Sequence, residues 1–329
     1  MSNLGEWVKN MRQINMSRKA FEKLERMALP KEVLNTESKI YEYTFRGETK
    51  ILKYFYVNKG EYFANKMYTV EMLDNYKDYL PDSFVIPDYM VAISNRTIGF
   101  TVPKVDGIPL ICILSNPKMD KQDQLDYLKK VGGILNQLKG IRKYTSLKDI
   151  YINDVNESNF IVKQNNRELK VIDLDSAKIQ NNRIFPAKYL QNSKLLSNQP
   201  KKYKLNLEAL KEQNIKYATN YPKFHEGLFI PSEETDNFCY TIMILNYLYG
   251  GNVARFSIEE YFTYLDYLDS IGLPKELIKQ FESILTERHT NNPVGYLDEL
   301  TSENIIRARN NIYEVTRDKV LSKKKYNNK

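Results

Sequence analysis

The stretch YINDVNESNFIV (151–162), followed by LKVIDLDSA (169–177), carries more polar chemistry than a connecting loop needs. Apolar runs frame it on both sides, so it reads as a loop between short strands. Asp154 and Asn159 are five positions apart, and Asp173 follows Asn159 by fourteen, at the end of the apolar pair Val171-Ile172. Two carboxylates and an amide in this order suit phosphoryl transfer, a reaction in which the protein positions groups and neutralises charge rather than forming bonds. One carboxylate orients the attacking hydroxyl. An amide oxygen and the other carboxylate hold Mg²⁺, a hard ion that takes oxygen ligands. A lysine must then reach the phosphates of the nucleotide.

Upstream of this stretch, two strand-like runs, KIYEYTF (39–45) and TKILKYFYV (49–57), are joined by Arg46-Gly47-Glu48, a link suited to a hairpin. Lys53 shares a face of the second run with Ile51 and Phe55, so it is either solvated or deliberately placed. A helical pattern over 60–79 ends before Pro81, and strands follow at 84–94 and 97–102. VPKVDGIPL (102–110) has the punctuation of a connector, and helical spacing resumes over 120–140. A long polar region, 178–222, contains one helix-like piece, LNLEALKEQNIKYA (205–218), suited to a lid or a partner surface. An apolar helix then starts near Asp236 and helices continue to about 315. At the other end, Leu4, Trp7, Val8, Met11, Ile14, Phe21, Leu24 and Met27 predict one or two amphipathic helices ending at Pro30. Strands first and helices later predict an α+β chain with a small sheet lobe and a larger helical lobe.

Bulk composition excludes several classes. Hydrophobic residues make up 42% and charged residues 27%, ordinary values for a globular chain. The two cysteines, Cys112 and Cys239, support neither a disulfide framework nor a zinc site, and a reducing cytoplasmic setting is the expectation. The start lacks the apolar core of a secretory signal, and FCYTIMILNYLYGG (238–251) is too short to span a bilayer, so no transmembrane segment is expected. Residues 301–329 hold eight basic and three acidic side chains and residues 1–30 six and three, which accounts for all of the +8 net charge. The body is neutral, so a nucleic-acid groove is not indicated; the basic ends could contact an acidic partner. The richness in Asn, Lys, Tyr and Ile suggests an AT-rich bacterial or phage source.

The ordered set resembles the protein kinase-like superfamily, in a divergent bacterial form. Its catalytic loop reads H-R-D-x-x-x-x-N and its metal motif D-F-G. The resemblance implies Asp154 as the catalytic aspartate, Asn159 and Asp173 as metal ligands, and Asp175 as a second metal carboxylate or a turn residue. It implies Lys53 as the phosphate-binding lysine and Glu71, in YTVEMLDNY, as its helix partner. In GFTVPKVDGIPL (99–110), Val102 would be the gatekeeper, with the backbone near Pro103-Lys104 facing adenine. Asp236, in SEETDNFCYTIMIL (232–245), would bind the catalytic-loop backbone, although a helix N-cap role explains its position equally. Arg288 would be the arginine of the closing segment (285–300). The implied organisation is an N-terminal helical extension (1–35), a sheet lobe with one main helix (36–104), a mostly helical lobe (105–300) and a basic helix or tail (301–329). The implied activity is ATP- and Mg²⁺-dependent transfer to a hydroxyl, with serine or threonine of a protein as acceptor. The alternatives are a nucleotide-binding scaffold and a small-molecule kinase of the aminoglycoside or choline type.

The chain departs from the family pattern at defined places. KEVLNTESK (31–39) has no glycine where a phosphate loop would lie, Ile152-Asn153 replaces His-Arg, and D-L-D replaces D-F-G. Position 156 is Asn, and Pro222 with Glu226 match A-P-E only loosely.

Overall fold

The computed structural model describes residues 11–26, 37–182, 231–256, 258–286 and 293–310. The fold is mixed α+β. The hairpin forms as the sequence predicts: β2 (Ser38–Phe45) pairs antiparallel with β3 (Glu48–Phe55). Arg46 (φ 53°) and Gly47 (φ 83°) both take the left-handed conformation that a two-residue turn between twisted strands requires. The chain then forms helix α2 (Gly60–Asn75) and strands β4 (Tyr89–Ile93) and β5 (Arg96–Pro103), and β5 returns beside β3. Lys53 sits at the centre of this sheet, opposite Ile40 on one side and Phe100 on the other.

The N-terminal segment differs from the expectation. Residues Gln13–Met16 form strand β1, which pairs parallel with β4 and gives a five-stranded sheet ordered β1-β4-β5-β3-β2. Among the described residues of this segment, only Arg18–Arg26 forms a helix, α1. Ile14 and Met16 are buried while Gln13 and Asn15 are exposed, a period of two that overrides the approximate helical spacing. The region expected as a helical extension therefore contributes an edge strand. The faces of the sheet carry separate cores. Ile14, Met16, Phe21, Tyr41, Leu52, Val91 and Ile98 pack on one, and Phe55, Phe63, Met67, Val70, Met90 and Phe100 on the other, under α2.

The rest of the described chain is mostly helical. A short strand, β6 (Gly107–Pro109), and helix α3 (Leu110–Ser115) lead to α4 (Lys121–Tyr144), whose first turn is capped by the Asp120 carboxylate accepting from the Gln122 and Asp123 amides. Two small β units follow. Strand β7 (Ile150–Tyr151) pairs with β10 (Lys178–Ile179), and β8 (Phe160–Lys163) lies between β6 and β9 (Leu169–Val171). Then comes α5 (Glu233–Tyr249), with a Ser232–Thr235 capping box at its start and Gly250 at φ +74° closing its end. Every residue of α5 from Glu234 to Leu248 is buried, as befits a helix apolar on all sides. The Tyr240 hydroxyl donates to the Leu128 carbonyl and that of Tyr247 to Gln124 Oε1, so α5's buried polar tips find partners on α4. Helices α6 (Ile258–Ser270), α7 (Lys275–Thr286) and α8 (Ser302–Asn310) complete the fold. Ile305 and Ala308 are fully buried, so the start of the expected basic tail is part of the core. No helix among the described residues is long and apolar enough to cross a membrane. The glycine-free stretch 31–36, the region 183–222, Pro222, Glu226 and Arg288 lie outside the described residues.

Candidate functional site

The loop between β7 and β8 is held from below by Asp236. Its Oδ2 accepts from the Ile152 amide at 2.9 Å and its Oδ1 from the Asn153 amide at 2.8 Å. Ser232 is the N-cap, so Asp236 is the loop anchor rather than the cap. Burial drives its carboxyl up to about 7 from the usual 3.8, although the two amides pull the other way. Asn153 sits at φ +66°, a left-handed conformation that a non-glycine residue holds only under constraint. Its side chain donates to the Ser176 carbonyl at 2.9 Å, joining this loop to the segment after Asp173. Asn156 accepts from the Ser158 amide and donates to the Asp154 carbonyl, forming the turn within the loop.

The turn brings Asn159 back onto Asp154. Asn159 Nδ2 donates to Asp154 Oδ2 at 3.0 Å and to its carbonyl at 2.9 Å. The Asn159 carbonyl accepts from the Ile172 amide at 2.9 Å, which places Asn159 beside the residue preceding Asp173. Asp173 itself is left-handed (φ 61°, ψ 43°) and is followed by a single turn, Leu174–Ser176. Of the five residues expected to do the chemistry, Lys53, Asn159 and Asp173 thus line one cleft, and Asp154 is bonded to its rim.

That cleft has a volume of about 470 Å³. Ile40, Ile51 and Val102 wall it on the sheet side, and Ile161, Ile172 and Leu174 on the other. Pro103, Lys104 and Val105 line its end. The Lys104 ammonium is held away from a ligand role by Glu42 at 2.7 Å. Apolar sheets of side chains above and below, with polar groups at one end, suit a flat heteroaromatic base with a charged tail.

At the polar end, two lysines and three carboxylates form a cluster. Lys53 Nζ lies 2.5 Å from Asp173 Oδ1, 3.0 Å from Asp175 Oδ2 and 3.7 Å from Glu37 Oε1. Lys66 of α2 lies 2.7 Å from Ser176 Oγ, 3.3 Å from Asp175 Oδ2 and 3.4 Å from Glu37 Oε1. Burial alone would lower the Lys53 ammonium, but Asp173 and Asp175 more than offset it and hold Lys53 above its usual range. Burial likewise disfavours an ionised Glu37, while Lys66, Lys53 and the Tyr62 hydroxyl hold it below the usual carboxylate value.

The expected pairing of Lys53 with Glu71 does not form. On α2, Glu71 comes five residues after Lys66, about 140° further round the helix, and burial raises its carboxyl. Glu37, Asp173 and Asp175 take its place as partners of Lys53. Asp175 also departs from the metal role. Its side chain is fully buried, is shared by two lysines and does not line the cleft. The sequence reading missed Lys66 and Glu37. The signal for Lys66 was present, because with Phe63, Met67, Val70 and Leu73 it occupies the buried stripe of α2, where a lysine needs an anion.

A magnesium ion with a nucleotide fits the oxygen donors present. Asn159 retains Oδ1 when its Nδ2 donates to Asp154, and Asp173 retains Oδ2 when its Oδ1 meets Lys53. Mg²⁺ is commonly held by one or two protein oxygens together with phosphates and water. Among the described residues no group of three or more His, Cys, Asp and Glu side chains forms a self-sufficient metal cage. Comparison with models of known protein families and with curated proteins finds no match.

Proposed function

We propose that this chain is an ATP- and Mg²⁺-dependent phosphotransferase with a two-lobed, protein kinase-like fold. The observation that carries the reading is the convergence of Lys53, Asn159 and Asp173 on one apolar-walled cleft, with Asp154 hydrogen-bonded at its rim. The hairpin–helix–hairpin order of β2, β3, α2, β4 and β5, with the lysine on the interior strand β3, supports the sheet lobe, and buried α5 supports the helical lobe. In this reading the base lies between the Ile40–Ile51 and Ile161–Ile172 walls. Lys53 would neutralise phosphate oxygens, and Asn159 and Asp173 would hold Mg²⁺, which when bound would supply charge neutralisation for the phosphoryl group. Asp154 accepts a hydrogen bond from the acceptor hydroxyl and orients it. Asn159 holds the Asp154 carboxylate in place, and Asp236 holds the backbone on which Asp154 stands.

Protein serine or threonine is the proposed acceptor. A second cavity of about 350 Å³, lined by Ile111, Asn156, Glu157, Ser158, Tyr247 and Arg309 among others, adjoins the catalytic loop and is large enough for an acceptor side chain. Incubation with labelled ATP and Mg²⁺ tests the activity. Label should appear on the protein or a generic substrate and be lost in Asp154→Asn and Asp173→Asn; label that persists in both variants sinks the assignment.

A further inference from the structure

The cleft lysine is anchored by Asp175, and Asp175 is itself paired with Lys66, a residue outside the expected set. Asp175 Oδ2 lies 3.0 Å from Lys53 Nζ and 3.3 Å from Lys66 Nζ, so one oxygen bridges the two ammonium groups. The Asp175 side chain has no exposed surface and that of Lys66 only 4%. Charged groups this deeply buried are costly unless paired. Lys66 and Lys53 share one oxygen of Asp175, and that shared oxygen fixes Lys53 relative to α2. Ser176 Oγ, 2.7 Å from Lys66 Nζ, adds a neutral partner that orients this ammonium.

Backbone placement explains why the polarity must run this way. Helix α2 presents Lys66 to the cluster while the expected Glu71 lies elsewhere on the helix, and D-L-D supplies a carboxylate where D-F-G has glycine. The two departures compensate each other, and neither is tolerable alone: a buried Lys66 without Asp175 loses a principal anion, and Asp175 without Lys66 adds a third carboxylate around one ammonium. Asn182 ties the same two elements, donating to Thr69 Oγ1 on α2 and to the Ala177 carbonyl.

We propose that Lys66 and Asp175 are a charge-inverted positioning pair that holds Lys53 in register with the cleft, the helix supplying the cation and the segment after Asp173 the carboxylate. Lys66 acts through Asp175 and touches no substrate. When phosphates occupy the polar end, Lys53 keeps its Asp175 contact while its Asp173 contact gives way. This role rests on the nucleotide-binding reading above.

The test is a double-mutant cycle on MgATP affinity, using Lys66→Gln, Asp175→Asn and the double variant, with urea unfolding to establish that each is folded. The double variant removes one positive and one negative charge, so the net charge of the cluster is conserved and its fold should persist. Each single substitution should weaken MgATP by about tenfold, the scale of one directly contacting charged pair, and the double variant should be no weaker than the worse single. A neutral pair that binds MgATP within about twofold of wild type overturns the proposal, as do single effects that simply multiply. A second readout is independent of nucleotide: the rate at which acetic anhydride modifies Lys53 at one fixed pH, read by mass spectrometry. In Asp175→Asn the rate should rise severalfold, because the ammonium is no longer held against a buried partner. A wild type that fails to bind MgATP defeats the phosphotransferase reading, and the modification rate then decides the pairing: unchanged in Asp175→Asn, it overturns the anchor.

Discussion

Gly99 is the point at which the sheet is most sensitive to one added methyl group. It stands on β5 opposite Tyr54, and a Cβ there would lie 1.9 Å from the Lys53 carbonyl oxygen and 3.3 Å from the Tyr54 Cα. Ordinary contact begins near 3.4 Å, so β5 and β3 must separate by about 1.5 Å at this point. The obstacle is the β3 backbone itself, and no rotamer change relieves it. Overpacking of this kind costs about 1–3 kcal/mol, and a stretched ladder hydrogen bond about 0.5–1.5 kcal/mol. Gly99→Ala should therefore lose about 2–4 kcal/mol. Urea unfolding at constant m measures it. The displaced carbonyl belongs to Lys53, so MgATP affinity should fall as well, because a displacement of about 1 Å at a positioned group can cost about a hundredfold in rate. A variant within about 0.5 kcal/mol of wild type at unchanged m, a shift expected only where no packing is disturbed, would refute the close approach and the register that depends on it.

Neighbouring glycines in α4 should respond with opposite signs. A Cβ at Gly132 meets Val294 Cβ at 2.6 Å and the Tyr240 hydroxyl at 2.7 Å, whereas one at Gly133 meets nothing within 4 Å. Gly132→Ala should destabilise by about 1–3 kcal/mol and Gly133→Ala stabilise by about 0.5–1 kcal/mol; equal effects in thermal unfolding would contradict the packing of α4 on α5. Ile14→Ala should cost about 2–4 kcal/mol, while Asn15→Ala should be near neutral in urea, since the strand exposes position 15; the reverse order would restore a helix there. Asp236 makes the pH prediction. Its folded value of about 7 exceeds the ordinary 3.8, so the folded state binds that proton more tightly than the unfolded chain. Its contribution to stability is complete below about pH 4 and diminishes as pH rises through about 7. The stability advantage of wild type over Asp236→Asn should thus shrink between pH 5 and about pH 8; a difference independent of pH across urea titrations would overturn this.

Much of the site could be read from sequence because its parts are local. Asp154 and Asn159 belong to one loop, whose Asn156 turn closes the Asn159–Asp154 contact within six residues. The β2–β3 hairpin follows from alternation and an Arg-Gly turn, and it places Lys53 without help from distant residues. Asp236 was legible only through the resemblance, because a helix N-cap would explain its position too; the 2.9 and 2.8 Å bonds from the Ile152 and Asn153 amides separate the two. What escaped are relations between segments. Glu37 and Lys66 join the cluster from either side of the hairpin, and Asp175, the other carboxylate on Lys66, lies more than 100 positions away. Choosing Glu71 applied the family's polarity to a helix whose buried stripe already carried a lysine. The β1 strand was missed for a different reason: in Met11, Ile14 and Phe21, helical and strand periods overlap, and only pairing with β4 separates them.

The anchor on Asp236 has a consequence in the order of synthesis. Sheet, α2, the loop bearing Asp154 and the segment bearing Asp173 are all encoded before residue 183, yet the loop's amides at Ile152 and Asn153 wait for a carboxylate more than eighty residues further on. During N-to-C synthesis the sheet can form first. Asp154 then stands on an unsecured backbone until α5 has left the ribosome and packed. Chains halted before α5 would carry every residue proposed for the chemistry and still lack the anchor that shapes their loop.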